Sequence, residues 1–403
     1  VVNKKAGNNK SIKDLNKSSI LDLIRIKKAV SKAELSSLTG LSANAVGMIT
    51  SALLKEGHIQ ESGIGKSSGG RKPVLFTLKP KSFYSIGIDF ETDFIKTIAI
   101  DSTGDTVSEI KSIMPSDKNI AKVLSIIEKN INELMKKNQI ETSRLLGIGL
   151  SVPGLIDNKT GRIVIAPNLG WNNIDLRVDI SRIFDVPVYI ENEALASSIC
   201  EKWVGKCQHT DDFVCINVKS GIGAGIFTNG HPYRGFSGSA GEVGHIVVQD
   251  NGPLCGCGNH GCLETLASTA HILENTKKLL KNSSSKILSN IADDDLTFDD
   301  IVNAAYKGDE LALNALIKAS KYLAIGIANI INTMNPEKVI IGKEFLKFSE
   351  LVLDDMRNII NQKSLETAIK SVSIEVSDIG EKTSTLGAAI IPLKSLFRKF
   401  VME

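Results

Sequence analysis

The chain has 403 residues, 42% hydrophobic and 23% charged, with a formal net charge of +3. That composition excludes a disordered or collagen-like chain, and the length exceeds one ordinary core, so two or three globular domains are expected. No run of about 20 apolar residues stands out, and the basic opening stretch "VVNKKAGNNKSIKDLNK" has no apolar segment behind it, so a cytosolic chain without a membrane partner is expected.

The charge is unevenly placed. Residues 1–81 carry 15 Lys and Arg against 5 Asp and Glu, and the remainder carries 33 against 40, so a head of +10 precedes a body of −7. A basic head on an acidic body points to a polyanion partner for the head. A solvated Lys-rich tail is the plainer alternative.

Helical periodicity appears three times before residue 57. "SSILDLIRIKKA" places Ile20, Leu23, Ile24 and the stem of Lys27 on one face. "SKAELSSLTG" follows, with Ser31 as N-cap, Glu34 at the capping-box position and Gly40 as the stop. "SANAVGMITSALLKEG" opens on Ser42 and closes on Gly57, with Val46, Ile49 and Leu53 facing a core. Its other face then presents Ala43, Asn44, Ala45, Gly47, Met48 and Ser51. Two short helices joined by "TGLS" describe a helix-turn-helix, whose small and polar second face suits a major groove. The stretch "HIQESGIGKSSGGRKPVLFTLKP" then alternates like a two-stranded ribbon. Its Gly/Ser loop carries Lys66, Arg71 and Lys72, a cationic wing for a minor groove or its phosphates. A helical protein-docking domain with a plain hairpin is the alternative. Pro80 and Lys81 mark a boundary.

The body reads as α/β. "FYSIGIDFETDFIKTIAIDSTGDTVSEIKSIM" gives three strands with a turn at Ser102–Gly104, followed by an amphipathic helix, "IAKVLSIIEKNINELMKK", and a buried strand, "LLGIGLSVPG". Later, "FVCINVKSGIGAGIFTNG" gives two strands around a glycine-rich loop, and "KVIIGKEF" another strand. Hairpin strands alternating with helices, twice over, suggest two lobes.

The stretch "GHIVVQDNGPLCGCGNHGC", Gly244–Cys262, gathers three of the six cysteines and two of the six histidines. Uneven cysteine spacing in a reducing compartment suggests metal or buried thiols before disulfides. Three thiolates and one imidazole would complete a tetrahedral zinc shell with no open position for water, which is a structural site. His245 and His260 both offer the nitrogen, and three buried free thiols are the alternative.

The head followed by "VPGLID", "APNLGW", "ENEALA", "SGIGAGI", "GEVGH" and "CGCGNHGCLE" resembles the ROK family (repressors, open reading frames and kinases) over nearly the whole chain. The last two motifs, with their spacing, are highly specific. The head, "APNLGW" and "ENEA" are most similar to the xylose repressors of Gram-positive bacteria. The resemblance implies an α/β fold in which a winged helix-turn-helix precedes a two-lobed actin/hexokinase-like body with a sugar in its cleft. The domains would be 1–81 for the head, 82–190 for a small lobe completed by a C-terminal helix near 385–403, and 191–384 for a large lobe. It also implies a homodimer or a dimer of dimers.

The same resemblance selects His245, Cys255, Cys257 and Cys262 as zinc ligands and sets His260 aside. It aims Glu242 and Glu264 at the sugar, together with Asn192, Glu193 and His245, with Asn168 and Trp171 nearby. Carboxylates and amides suit a polyol because each pairs with one or two hydroxyls. The second ring nitrogen of a zinc-bound histidine can do the same.

A ROK kinase also needs a phosphate-cradling D-x-G-G-T turn. Here the stretch is "DFETD": Asp89 is kept, but Glu91, Thr92 and Asp93 stand where the glycines and threonine should be. Side chains fill the space where backbone N–H groups would approach phosphate, and two added carboxylates would repel a triphosphate. The adenosine-side turn reads "IIGKEF" and keeps only Gly342. Where kinases carry an Asp after Asn as base, Asn192 is followed by Glu193, a displacement of about 1 Å that costs on the order of 100-fold in a positioned reaction. The expected protein is therefore no enzyme. It is a cytoplasmic repressor that binds a palindromic operator and is released by a monosaccharide, D-xylose on the resemblance alone. The alternatives are a residual sugar kinase, a repressor sensing glucose, an amino sugar or a phosphosugar, and a repressor controlled by a phosphotransfer protein.

Overall fold

The computed structural model describes residues 9–65, 72–157 and 159–397. Lys66 and Arg71 of the expected wing lie outside them. The chain divides into two compact units: one runs through Gly154 and takes in Thr160–Glu191 and the segment from Ala388, and the other comprises Leu155–Lys159 and Asn192–Gly387.

The first unit begins with three helices, α1 (Asn9–Lys27), α2 (Lys32–Thr39) and α3 (Ala43–Lys55). Ser31 caps α2 in a reciprocal box with Glu34, and Gly40 ends it at φ +68°. The Ser42 side chain accepts the Ala45 N–H at 3.3 Å and starts α3, which lies at 118° to α2. That is the helix-turn-helix angle. Val46, Ile49 and Leu53 are buried as the periodicity required. On α1 the inward face carries Ile20, Leu21 and Ile24, while Leu23 is half-buried and Lys27 exposed. The helix is thus rotated toward Leu21 relative to the expected face.

The ribbon is present as β2 (Ile59–Ile64) and β3 (Val74–Leu78), antiparallel, and a two-residue strand, β1 (Val30–Ser31), pairs with the other side of β3. This head packs directly on the rest of its unit. The His58 ring stacks on Phe83 at 4.9 Å, and the Lys81 N–H donates to Asp101 at 2.9 Å. The Ser102 hydroxyl donates to the Lys79 carbonyl at 2.6 Å.

Beyond Pro80, β4 (Tyr84–Phe90), β5 (Phe94–Asp101) and β6 (Thr106–Ile113) form an antiparallel meander. Next, β7 (Leu145–Val152) runs parallel beside β4, and β11 (Val188–Asn192) lies outside it. The amphipathic α4 (Ile120–Lys137) buries Val123, Ile127, Ile131 and Leu134 and packs on β5 and β6. A hairpin of β9 (Arg162–Ala166) and β10 (Trp171–Ile174) and the helix α5 (Leu176–Phe184) complete this part. The final helix, α13 (Thr383–Phe397), closes it: the Ser85 hydroxyl donates to the Ala389 carbonyl at 2.5 Å.

The second unit takes in the short β8 (Leu155–Asp157) and repeats the sheet. Here β12 (Phe213–Val218), β13 (Ile222–Thr228) and β14 (His231–Tyr233) form the meander. β15 (Lys338–Lys343) runs parallel beside β12, and β16 (Ser373–Val376) parallel beside β15. The order β14-β13-β12-β15-β16 matches β6-β5-β4-β7-β11. This duplicated topology is that of an actin/hexokinase-like body. α6 (Glu193–Trp203) covers β12 and β13. The remaining helices are α7 (Glu264–Ala267), α8 (Thr269–Leu280), α9 (Phe298–Tyr306), α11 (Ser349–Lys363) and α12 (Glu366–Ile369), gathered around the long α10 (Glu310–Met334). By length and composition α10 could cross a membrane. In the structure Leu316, Leu323, Ile327 and Ile331 of α10 are buried in the core of this unit.

Candidate metal centre and ligand site

The cysteine loop is held in shape by its own backbone. The Cys255 N–H donates to the Asn259 carbonyl at 2.7 Å, and the Leu263 N–H to the Ile246 carbonyl at 2.8 Å. Gly261 turns the chain at φ +70°, where a Cβ would run into the Gln249 carbonyl. These bonds bring His245, Cys255, Cys257 and Cys262 together, with their ligand atoms all within 4.8 Å of one another. Cys255 Sγ lies 3.5 Å from His245 Nδ1, and Cys257 Sγ lies 3.7 Å from Cys262 Sγ. A tetrahedral zinc with Zn–S bonds of about 2.3 Å spaces its ligand atoms by about 3.5–3.8 Å. The four groups therefore fit such an ion.

Their chemistry agrees. Burial pushes the Cys262 thiol up to about 12 and raises Cys255, while the Asn259 backbone N–H lowers the exposed Cys257. A divalent cation would offset the burial cost by binding thiolates. His260 stands apart, its Nδ1 3.1 Å from the Gly252 carbonyl. Cys200, Cys207 and Cys215 are buried thiols away from this cluster, and burial raises all three, Cys207 to about 12.

The carboxylates expected at a sugar flank this loop and the glycine-rich turn. Glu264 Oε2 accepts the Ile222 N–H at 3.0 Å. Partial desolvation pushes the Glu242 carboxyl up, with His245 opposing and Glu264 adding to the rise. Asn192 has a structural task, because its Oδ1 caps α6 by accepting the N–H groups of Ala194 at 2.8 Å and Leu195 at 3.4 Å. Glu193, the first residue of α6, meets two ammonium groups: Lys219 Nζ at 3.1 Å and Lys343 Nζ at 3.4 Å. Burial by itself raises this carboxyl, but the two lysines more than offset it and hold it below the usual glutamate range. Neither lysine was anticipated. The available signal was "IIGKEF", where Lys343 stands in a turn that the kinase pattern fills with glycine.

In the first unit, Asn168 is exposed, and its backbone carbonyl accepts Lys118 Nζ at 2.6 Å. Trp171 is 3% exposed, donates Nε1–H to the Lys118 carbonyl at 2.9 Å and meets Phe90 edge-on at 5.2 Å. Its place is core packing. The "DFETD" stretch is an ordinary hairpin: the Glu91 N–H donates to the Phe94 carbonyl at 2.9 Å, and none of residues 91–93 has a positive φ.

On the head, Ala43, Asn44, Met48 and Ser51 of α3 are exposed, Met48 by 63%, with Ala45 and Gly47 half-buried beside them. A Cβ at Gly47 would meet nothing within 4 Å among the described residues, so none of them requires glycine there. Lys72 is exposed at the start of the return strand.

With the duplicated sheet, the head and the four-ligand loop described, comparison with known proteins places the chain. The ROK family model matches residues 85–395. The chain belongs to the ROK family. It is 36% identical over 391 residues to a xylose repressor of Caldicellulosiruptor bescii, covering 97% of this chain and 98% of that one. Among solved structures, a ROK family transcriptional regulator, homologue of the Escherichia coli MLC protein, superposes with a TM-score of 0.83 at 26% identity, covering 97% of this chain and 98% of its own. A ROK family glucokinase from Streptomyces griseus, solved with glucose and AMPPNP, has a TM-score of 0.68 at 26% identity and covers 76% of this chain and 98% of its own.

Proposed function

We propose that this chain is a cytoplasmic transcriptional repressor that binds operator DNA as a homodimer or dimer of dimers and is released by a monosaccharide, with D-xylose the favoured inducer. The observation that carries this reading is the solvent-facing side of α3 in a 118° helix pair. Ser42, Ala43, Asn44, Ala45, Gly47 and Met48 read the major groove, and Lys66, Arg71 and Lys72 hold the adjacent minor groove and phosphates. Residues 1–81, 82–190 with the C-terminal helix, and 191–384 act as head, small lobe and large lobe. Similarity to a xylose repressor over nearly both full lengths favours xylose over other sugars.

In the body, a structural zinc on His245, Cys255, Cys257 and Cys262 holds the loop that carries Glu242 and Glu264. These two, with Asn192, Glu193, His245 and Asn168, bind the sugar hydroxyls. The metal supplies placement and no chemistry. No phosphoryl transfer is expected, because Glu91, Thr92, Asp93 and Lys343 replace the residues a nucleotide site needs, and an ATP-dependent sugar phosphorylation assay checks this. The deciding experiment is calorimetry of D-xylose with and without saturating operator. By linkage, an inducer must bind DNA-loaded protein more weakly by the same factor by which it weakens DNA binding. Equal affinities would exclude xylose as inducer, and tighter binding on DNA would make it a co-repressor.

A further inference from the structure

Lys343 is an unusual residue to find where it is. Its backbone sits at φ +64° and ψ −131°, a region that side chains disfavour and glycine adopts readily. Its side chain is nevertheless 2% exposed, with an ammonium group in the interior of the second unit. A lysine there carries both a backbone penalty and a desolvation penalty, so its head group must be well satisfied to persist. It is: Nζ donates to Ser384 Oγ at 2.6 Å and to the Glu381 carbonyl at 3.3 Å, and lies 3.4 Å from Glu193 Oε1.

Lys219 arrives at the same carboxylate from the loop after β12, 3.1 Å from the same Oε1. The parallel strands β12 and β15 thus deliver one lysine each from their C-terminal ends to the first residue of α6. There the carboxylate also lies in the favourable field of the helix N-terminus. Both ammonium groups come within 3.4 Å of the same oxygen, Oε1, and fix the carboxylate from two sides. A carboxylate that must accept a proton during a reaction is poorly served by two cations, because each stabilises its charged form. A carboxylate whose task is to accept a hydrogen bond in one fixed direction is well served.

We propose that Lys343 and Lys219 are positioning residues that pin the Glu193 carboxylate as a fixed hydrogen-bond acceptor for a sugar hydroxyl. This rests on the sugar reading of the site and adds what turns Glu193 from a proton acceptor into a binding group. The test is a double-mutant cycle of Lys343→Met and Glu193→Gln, read by calorimetry with D-xylose, with zinc content and unfolding midpoint recorded for each protein. Lys343→Met should weaken xylose binding by about tenfold or more. The double variant should bind no more weakly than Glu193→Gln alone, since without the carboxylate there is nothing to pin.

Lys219→Met, at the more accessible lysine, repeats the test should Lys343→Met fail to fold. A single lysine variant within twofold of wild type, or losses that multiply in the double variant, overturns the proposal. If wild-type protein takes up no pentose or hexose, the sugar reading fails by itself, and the same cycle in unfolding midpoints still decides on the pin. Non-additive midpoints support it, and additive ones overturn it.

Discussion

Glu264 Oε2 holds the Ile222 N–H at 3.0 Å, so a carboxylate two residues past the last cysteine of the four-ligand loop clamps the glycine-rich turn that enters β13. A Cβ at residue 221 would come 2.7 Å from the same oxygen, so the end of the Glu264 side chain would have to move. Gly221→Ala should therefore swing the Glu264 carboxylate aside and cost sugar affinity about tenfold through the lost charge-assisted hydrogen bond. Zinc content should not change. Calorimetry with elemental analysis checks both, and wild-type affinity in the variant would remove Glu264 from the site.

Gly47 gives a prediction with opposite signs on two properties. Among the described residues nothing lies within 4 Å of a Cβ at this position, and glycine costs a helix interior about 1 kcal/mol relative to alanine. Gly47→Ala should raise stability by about that amount in denaturant unfolding. If α3 lies deep in the major groove, the added methyl should at the same time weaken operator binding, measured by fluorescence anisotropy. Unchanged operator affinity would mean that α3 does not approach DNA at this turn.

The four-ligand loop should answer to metal before the body does. Chelation, or Cys257→Ser, should abolish sugar binding while the circular dichroism of the α/β body persists, because Glu242, His245 and Glu264 lose their placement. Carefully purified protein with no zinc by elemental analysis would contradict the assignment.

The Glu193 cluster also sets a pH dependence. Its carboxyl is held below the unfolded value near 4.5, so its contribution to stability is fully present above that pH. The contribution is lost as pH falls through the lower, folded value. The difference in unfolding midpoint between wild type and Glu193→Gln should be constant from pH 8 to about 5.5 and shrink below about 4.5. Both proteins carry the same four-ligand loop, so acid release of any ion bound there cancels in the comparison. A difference that grows as pH falls would reverse the sign and reject the pairing.

The local pattern of the chain determined a great deal by itself. The capping box of Ser31 and Glu34, the Gly40 stop, the three-strand meander from Tyr84 and the limits of α4 all follow from residues within a few positions of one another. Spacing alone gathered Cys255, Cys257 and Cys262, because a short glycine-rich loop has few ways to separate them. Other features depended on the tertiary structure. Strand β1 is two residues long, too short for any periodicity, and exists because Phe76 and Leu75 lie opposite Val30 and Ser31. Trp171, which the motif placed beside a sugar, was drawn into the core by Phe90 and the Lys118 carbonyl. Lys219 and Lys343 reach Glu193 only because β12 and β15 are hydrogen-bonded neighbours, though more than a hundred residues of chain separate them. Hydrophobic period and turn chemistry act over a few residues, whereas a charge cluster forms wherever the folded sheet brings its strand ends together, and no local rule carries that information.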